Sequence, residues 1–170
     1  MKVELNKLKE GENILSKQES SSVLDLPDKH FSVPVEIKGT VDKRGKNYYF
    51  KITAETDGEF QCDRCLKQFN KSFHVELSFV FSKENYFQDS EDQDDFYVVS
   101  EDTNEVDISH DIRDAILLEI PIRILCSENC KGICSGCGAY LNEEKCTCEK
   151  DEIDPRWEML KNIKFDNRKE

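Results

Sequence analysis

Residues 126–148 read CSENCKGICSGCGAYLNEEKCTC, from Cys126 to Cys148, and hold six of the chain's eight cysteines. The spacing is C-x3-C-x3-C-x2-C-x8-C-x-C. Within it, Cys134-Ser135-Gly136-Cys137-Gly138 has the form of a zinc knuckle, where two thiolates three positions apart grip one ion through a tight turn. Gly136 and Gly138 tolerate the backbone angles such turns demand. Cys146 and Cys148 return a second pair after a short loop containing Leu141-Asn142. The other two cysteines stand far upstream in Cys62-Asp63-Arg64-Cys65.

The eight cysteines thus form four local pairs, Cys62/Cys65, Cys126/Cys130, Cys134/Cys137 and Cys146/Cys148, which combine two by two in three ways. Loop length favours Cys134, Cys137, Cys146 and Cys148 as one site, because eight residues separate its two pairs. That leaves Cys62, Cys65, Cys126 and Cys130 for a second. The 60 residues between Cys65 and Cys126 do not forbid it. Closure entropy grows only logarithmically, so the longer loop costs about 2 kcal/mol more than the shorter one. The reading is structural Zn2+, one or two ions, with a single ion plus spare thiols as the alternative to two. Four thiolates fill a tetrahedral shell and leave no position for a reactive water, which argues against hydrolytic chemistry. By loop length the local site is the tighter one, so Cys134→Ser is expected to destabilise more than Cys62→Ser.

The chain has 170 residues, 37% hydrophobic and 35% charged, which suits one domain with a small appendage. The expected division is a β-rich domain over 1–125, with an acidic loop and a helix, and a cysteine-rich segment with a C-terminal helix over 126–170. The net charge of −12 is unevenly placed: residues 84–114 carry twelve acids against Arg113, and the remainder is close to neutral. The overall acidity therefore does not exclude a nucleic-acid partner. The N-terminal MKVELNKLKEGENIL lacks the apolar core of a signal peptide, and no stretch approaches a membrane span of about 18 apolar residues. A cytoplasmic protein is expected, whose thiols stay reduced, with no membrane partner. Disulfides in a secreted protein are the alternative for an even cysteine count.

Strand patterns dominate the first half. Val3, Leu5 and Leu8 suit a short edge strand, and Ser16–Ser22 reads as a polar loop. Val33, Val35, Ile37 and Val41 alternate with polar residues, Asp42–Lys46 makes a turn, and Tyr48, Phe50, Ile52 and Ala54 alternate after it. Asp57-Gly58 reads as a second turn. Phe69, Phe73, Val75, Leu77, Phe79 and Phe81 share one face of a further strand. The expectation is an antiparallel sheet of three or four strands with Cys62 and Cys65 on a connection. Residues 84–95 read as an acidic loop. Phe96–Val99 suits a short strand. Ile108, Ile112, Ala115 and Ile116 keep helical spacing, with Ser109 or Asp107 near the N-cap and Pro121 as the stop. Asp154-Pro155 opens a C-terminal helix whose stripe of Trp157, Leu160 and Ile163 docks on the core or on a partner. The fold class is α+β: an antiparallel sheet, a central helix, a zinc-knuckle segment and a C-terminal helix.

Catalytic patterns are missing. The three histidines, His30, His74 and His110, accompany no nucleophile motif, and neither a P-loop nor G-x-G-x-x-G occurs. Cys62-x2-Cys65 has the form of a redox dithiol, but it follows a strand pattern and no helix start follows it. A redox switch through loss of metal on oxidation is a secondary reading. The hairpin KGTVDKRGKNYYFK carries Lys38, Lys43, Arg44, Lys46 and Lys51 against one acid, interleaved with Tyr48 and its neighbours Tyr49 and Phe50. Cations for phosphates beside rings for stacking suit single-stranded RNA. The plainer account is a hairpin kept soluble by its lysines.

Taken together, the strand leading into CDRCL, the helix ending in LLEIP, the stretch KGICSGCG-x-x-LN, the CTC pair and the terminal DPRW resemble the bacterial YceD family, the large ribosomal RNA subunit accumulation proteins, in their cysteine-rich Gram-positive form. The likeness runs from about Val33 to Ile163. It implies a cytoplasmic, non-enzymatic factor supporting 23S ribosomal RNA accumulation or processing and large-subunit biogenesis. The partners implied are ribosomal RNA or its precursor and, as a further candidate, a large-subunit ribosomal protein. It implies no catalytic residue and leaves the oligomeric state open. The competing function is a zinc-ribbon protein–protein adaptor contacting its partner through the Trp157 helix.

Overall fold

The computed structural model describes residues 1–84 and 96–148. The C-terminal helix expected from Asp154, and most of the acidic loop expected over 84–95, lie outside the described residues.

Strand β1 (Lys2–Glu4) leads through a short 3-10 turn (Leu5–Lys7) into β2 (Gly11–Glu19). Then follow β3 (Val35–Arg44), β4 (Asn47–Gln61), β5 (Gln68–Ser82), β6 (Phe96–Val98), β7 (Glu105–Asp107) and helix α1 (Ser109–Leu118). β2 to β5 form an antiparallel meander, and β6 adds to the far edge of β5 in parallel, giving a five-stranded sheet in the order β2-β3-β4-β5-β6. β1 and β7 pair separately.

The chain is thus mostly sheet with one helix among the described residues. The strands arise from strict alternation. In β4 every even-numbered residue from Tyr48 to Phe60 is buried and every odd-numbered one is partly or fully exposed. A period of two places one set on the core and the other in water. Val35, Ile37 and Val41 of β3 and Phe73, Val75, Phe79 and Phe81 of β5 join the same core. α1 closes it from β5's side with Ile112 and Ile116, and Leu24, Leu26 and Phe31 cover it from the β2–β3 connection. Ile108 occupies the helix N-cap without a side-chain acceptor; Asp107, one residue back, accepts the Ser109 backbone N–H at 3.0 Å instead.

Three expectations are corrected. First, β4 runs straight through Asp57-Gly58, which pair with Ser72 and Lys71. Gly58 is a packing slot: a Cβ there would lie 2.5 Å from the Phe60 ring and 3.1 Å from that of Phe31. Second, the polar stretch after Ser16 does not begin a loop, because β2 pairs with β3 as far as Glu19 opposite Val35. An edge strand is held by main-chain hydrogen bonds and needs little apolar surface, so its composition resembles that of a loop. Third, the sheet has five strands and one parallel pair. Three residues of β6 are too few for an alternation pattern to indicate direction.

Candidate metal centres

The β4–β5 connection, residues 62–67, turns tightly. The Cys62 N–H donates to the Lys67 carbonyl at 2.9 Å and the Leu66 N–H to the Cys62 carbonyl at 2.8 Å, with Leu66 left-handed at φ 60°. This presents Cys62 and Cys65 on one side. Asp63 stitches the turn to the incoming C-terminal segment: its N–H donates to the Ile124 carbonyl at 2.8 Å, and its Oδ2 accepts the Ile124 N–H at 2.6 Å. Arg64 donates from Nη1 to the Cys130 carbonyl at 2.8 Å. The four sulfurs of Cys62, Cys65, Cys126 and Cys130 consequently meet within 4.8 Å of one another. Cys62 lies 3.8 Å from Cys130, and Cys65 lies 3.7 Å from Cys126. We call this the inner tetrad. Cys62 is 0% exposed, and Cys65 and Cys130 are each 1% exposed; Cys126 alone reaches solvent. Phe69 and Leu125 pack against the buried sulfurs.

The outer tetrad is built from one short loop. Cys134 receives the Gly138 N–H on its carbonyl at 2.9 Å, with Gly138 at φ +73°, and Gly136 lets Cys148 approach: a Cβ there would sit 2.8 Å from its sulfur. Cys134 stands 3.3 Å from Cys146 and 3.8 Å from Cys148, and Cys137 is 3.8 Å from Cys146. Here Cys134 is half-buried and the other three are exposed. Of the three ways to combine the pairs, the structure brings together the one that loop length favours.

Both tetrads suit a tetrahedral thiolate centre. With metal–sulfur bonds of about 2.3 Å, as for zinc, the edge of a sulfur tetrahedron is about 3.8 Å. A disulfide needs about 2.05 Å, which no pair approaches. Burial pushes the Cys62 thiol up, but the surrounding backbone N–H groups of Cys126, Cys65 and Arg64 outweigh it and hold it at about 6. Cys126, crowded first by the Cys130 thiol and then by burial, is pushed up to about 12. The outer tetrad repeats the split. Backbone N–H groups of Cys137 and Gly136, with the Cys146 side chain, bring Cys134 to about 6, while the neighbouring Cys137, Cys146 and Cys134 sulfurs push Cys148 up to about 12. Four thiolates this close repel one another, and a bound cation removes that penalty.

One residue outside the cysteine pattern reaches into the inner tetrad. Asn142 donates from Nδ2 to the Cys130 sulfur at 3.2 Å and accepts the Lys131 N–H on Oδ1 at 2.7 Å. This bond is the leading cause holding the Cys130 thiol below its usual range. Asn142 belongs to the loop between Cys137 and Cys146, so the outer loop supplies a hydrogen bond to the inner centre. The Ile133–Tyr140 bridge and the Leu141 N–H to Gly132 carbonyl bond, at 3.0 Å, hold that loop in place. No spacing rule in the sequence marks Asn142 for this role.

The basic hairpin divides between two faces. Lys38 and Lys51 lie on the open face of the sheet, opposite the core, and Lys51 stands two residues along β4 from Tyr49, which is 37% exposed. Arg44, at the turn, sits 5.2 Å from the Tyr49 ring and pairs with Asp42 at 2.7 Å. Lys46 pairs with Glu101 at 2.6 Å, and Lys38 with Glu36 at 2.9 Å. Lys43 points the other way, with its ammonium 5.7 Å from the Tyr48 ring and donating to the Leu8 carbonyl at 3.2 Å. Tyr48 itself is in the core at 4% exposure, because alternation along β4 turns it inward and Tyr49 outward.

A family model described as Large ribosomal RNA subunit accumulation protein YceD matches residues 50–164. Among curated proteins, the chain is 28% identical to the chloroplastic "Large ribosomal RNA subunit accumulation protein YCED homolog 1" of Arabidopsis thaliana, over 85% of this chain and 52% of that protein. It is 32% identical to "Uncharacterized protein YlbN" of Bacillus subtilis, over 76% and 74% respectively. With "Uncharacterized protein Mb2951c" of Mycobacterium bovis it shares 31% identity over 81% of this chain and 59% of the relative. The chain therefore spans about half the length of the plant relative. No solved structure matches it significantly.

Proposed function

The chain belongs to the YceD family of large ribosomal RNA subunit accumulation proteins, and on that premise we propose that it is a non-enzymatic factor that binds 23S ribosomal RNA or its precursor and supports its accumulation or processing during large-subunit biogenesis. In this reading both tetrads hold structural Zn2+, through Cys62, Cys65, Cys126 and Cys130 and through Cys134, Cys137, Cys146 and Cys148. The observation that carries it is the pair of closed four-sulfur clusters in a chain of this family: such a centre leaves no site for substrate and serves to hold a binding surface together. In this reading residues 1–125 are the β-rich domain and 126–170 the cysteine-rich segment, whose described part, 126–148, is clamped to the sheet by the inner tetrad. The working compartment is the cytoplasm, where thiols stay available to metal. Among the described residues no helix is long and apolar enough to cross a membrane.

The RNA surface is the open sheet face of the hairpin, with Lys38, Lys51, Arg44 and Lys46 for phosphates and the Tyr49 ring, beside Arg44, for a base. The exposed partners Glu36 and Glu101 and the half-buried Asp42 now hold three of those cations. Exposed ion pairs are worth only about 0–1 kcal/mol, so a phosphate can displace them. Replacing Lys38, Arg44, Lys46 and Lys51 together by glutamate should abolish binding of precursor RNA without changing the thermal melt. The wild-type affinity should fall with salt at a slope of about −0.7 per phosphate contact. Undiminished binding by the folded variant would remove the hairpin as the interface. An unchanged ratio of large- to small-subunit RNA in a deletion strain would refute the ribosomal reading.

One observation favours the adaptor as a second reading. Leu118 and Ile122, at the end of α1 and just beyond it, are 85% and 108% exposed, next to the cysteine segment. Capture of a large-subunit ribosomal protein that survives nuclease and is lost in Leu118→Lys/Ile122→Lys would support it.

A further inference from the structure

We propose that the outer tetrad is a site of reversible thiol oxidation by peroxide-class oxidants, with the disulfide forming between Cys134 and Cys146, while the inner tetrad stays reduced under the same exposure. The proposal rests on reading both tetrads as metal centres, and it assigns them different chemistry.

The asymmetry is geometric. A peroxide has to touch the sulfur it oxidises. Three of the four outer sulfurs are exposed, whereas three of the four inner ones are buried. Cys134 and Cys146 approach to 3.3 Å, closer than Cys62 and Cys130 at 3.8 Å or Cys65 and Cys126 at 3.7 Å. All four outer cysteines lie within residues 134–148, so closing the remaining gap moves one loop only. In the inner tetrad the one exposed sulfur, Cys126, has Cys65 as its near partner at 3.7 Å, and Cys65 is 1% exposed. Closing that pair would drag the β4–β5 connection against the Asp63–Ile124 and Arg64–Cys130 hydrogen bonds.

The step balances as follows. The exposed Cys146 thiolate attacks one peroxide oxygen, the O–O bond breaks, the sulfur becomes a sulfenic acid and hydroxide departs. The Cys134 thiolate attacks that sulfur, the S–S bond forms and a second hydroxide departs. Two electrons pass from the sulfur pair to the peroxide, and two protons from solvent turn the hydroxides into water. Cys137 and Cys148 are left as two ligands of a four-ligand shell, so the metal ion is released. A dithiol reductant returns the two electrons and restores the pair. The sheet does not depend on these sulfurs, and the Ile133–Tyr140 bridge, the Leu141–Gly132 bond and the Lys131–Asn142 bond still hold Asn142 against Cys130, so the fold and the inner tetrad persist.

The test uses the full chain purified under reducing conditions without chelator and then freed of reductant. Metal content is measured first. Graded hydrogen peroxide is then added, metal release is followed with a chromophoric chelator, and disulfides are mapped by mass spectrometry after free thiols are blocked in denaturant. The expected result is about half the bound metal released, a Cys134–Cys146 disulfide, and Cys62, Cys65, Cys126 and Cys130 recovered as free thiols. A dithiol followed by metal should reverse it. A Cys65–Cys126 disulfide at the same or a lower peroxide dose would overturn the proposal, as would outer thiols that remain reduced when inner ones oxidise. A chain with no metal at the outset would refute the metal reading alone, and the disulfide map would still decide which tetrad oxidises.

Discussion

Asn142→Ala should weaken the inner centre although Asn142 sits in the outer loop. The side chain makes two hydrogen bonds, from Nδ2 to the Cys130 sulfur at 3.2 Å and from the Lys131 N–H to Oδ1 at 2.7 Å. A bond to a charged acceptor such as a thiolate is worth about 1.5–3 kcal/mol, and a neutral one about 1 kcal/mol. Water replaces much of the second, because Lys131 is exposed. The surviving loss of about 1.4–2.8 kcal/mol corresponds to metal affinity 10–100-fold weaker, the usual scale for groups that orient a metal ligand. The assay is residue-resolved alkylation during titration with a chelator. Cys62, Cys65 and Cys130 should become reactive at chelator concentrations 10–100-fold lower than in the wild type. Asn142→Asp separates the two bonds: it keeps the acceptor for Lys131 but sets a carboxylate against a thiolate, and should be worse than alanine. Wild-type protection of the inner cysteines in both variants would refute the role assigned to Asn142. Wild-type behaviour of Asn142→Asp alone would reduce that role to its bond with Lys131.

Other outcomes follow from the same geometry. Burial argues for the opposite order to loop length, so Cys62→Ser should lower the melting temperature more than Cys134→Ser: it opens a buried four-sulfur centre that joins distant segments, and structural metal sites of the zinc-finger kind gain about 10–16 kcal/mol of apparent binding energy. A larger loss in Cys134→Ser would show that loop length, rather than burial, governs. Gly58→Ala should cost about 1–3 kcal/mol by overpacking against Phe60 and Phe31, read from chemical denaturation; a neutral result would mean that the slot has room. Hydrogen bonds from Ser109 and contact with the terminal ammonium hold the Asp107 carboxyl well below the usual carboxylate range. Its folded pKa is depressed, so its stabilisation is complete above the unfolded value of about 3.9 and is lost as pH falls below it. Asp107→Asn should therefore cost about 1 kcal/mol at neutral pH, and the gap to the wild type should shrink as pH falls below about 4, towards the depressed folded pKa. A gap independent of pH would contradict the assignment.

Much of this protein was legible in its sequence because the relevant physics is local. Alternation along Tyr48–Ala54 and Phe69–Phe81 states which side chains face the core, since a strand has a period of two whatever lies opposite it. The spacing of the cysteine pairs states that each grips from one turn, and the cost of loop closure ranks their combinations, matching the two clusters that form. Family membership was legible for the same reason, in short stretches such as KGICSGCG. The tertiary structure decided what depends on the element arriving from elsewhere. β2 is a strand because β3 offers it hydrogen-bonding partners from Gly11 to Glu19, although its residues alone read partly as a loop. Asp57-Gly58 stays extended because the Phe31 and Phe60 rings fill the space above a missing Cβ. Tyr48 shares its face with Phe50 and Ile52, so the same alternation already sets it inward and Tyr49 outward; the structure shows that this inward face is the packed core. The contrast between a buried inner tetrad and an exposed outer one, and the reach of Asn142 between them, appear only in three dimensions. Burial and hydrogen bonding across distant segments belong to the packed chain, and neither leaves a spacing pattern in the sequence.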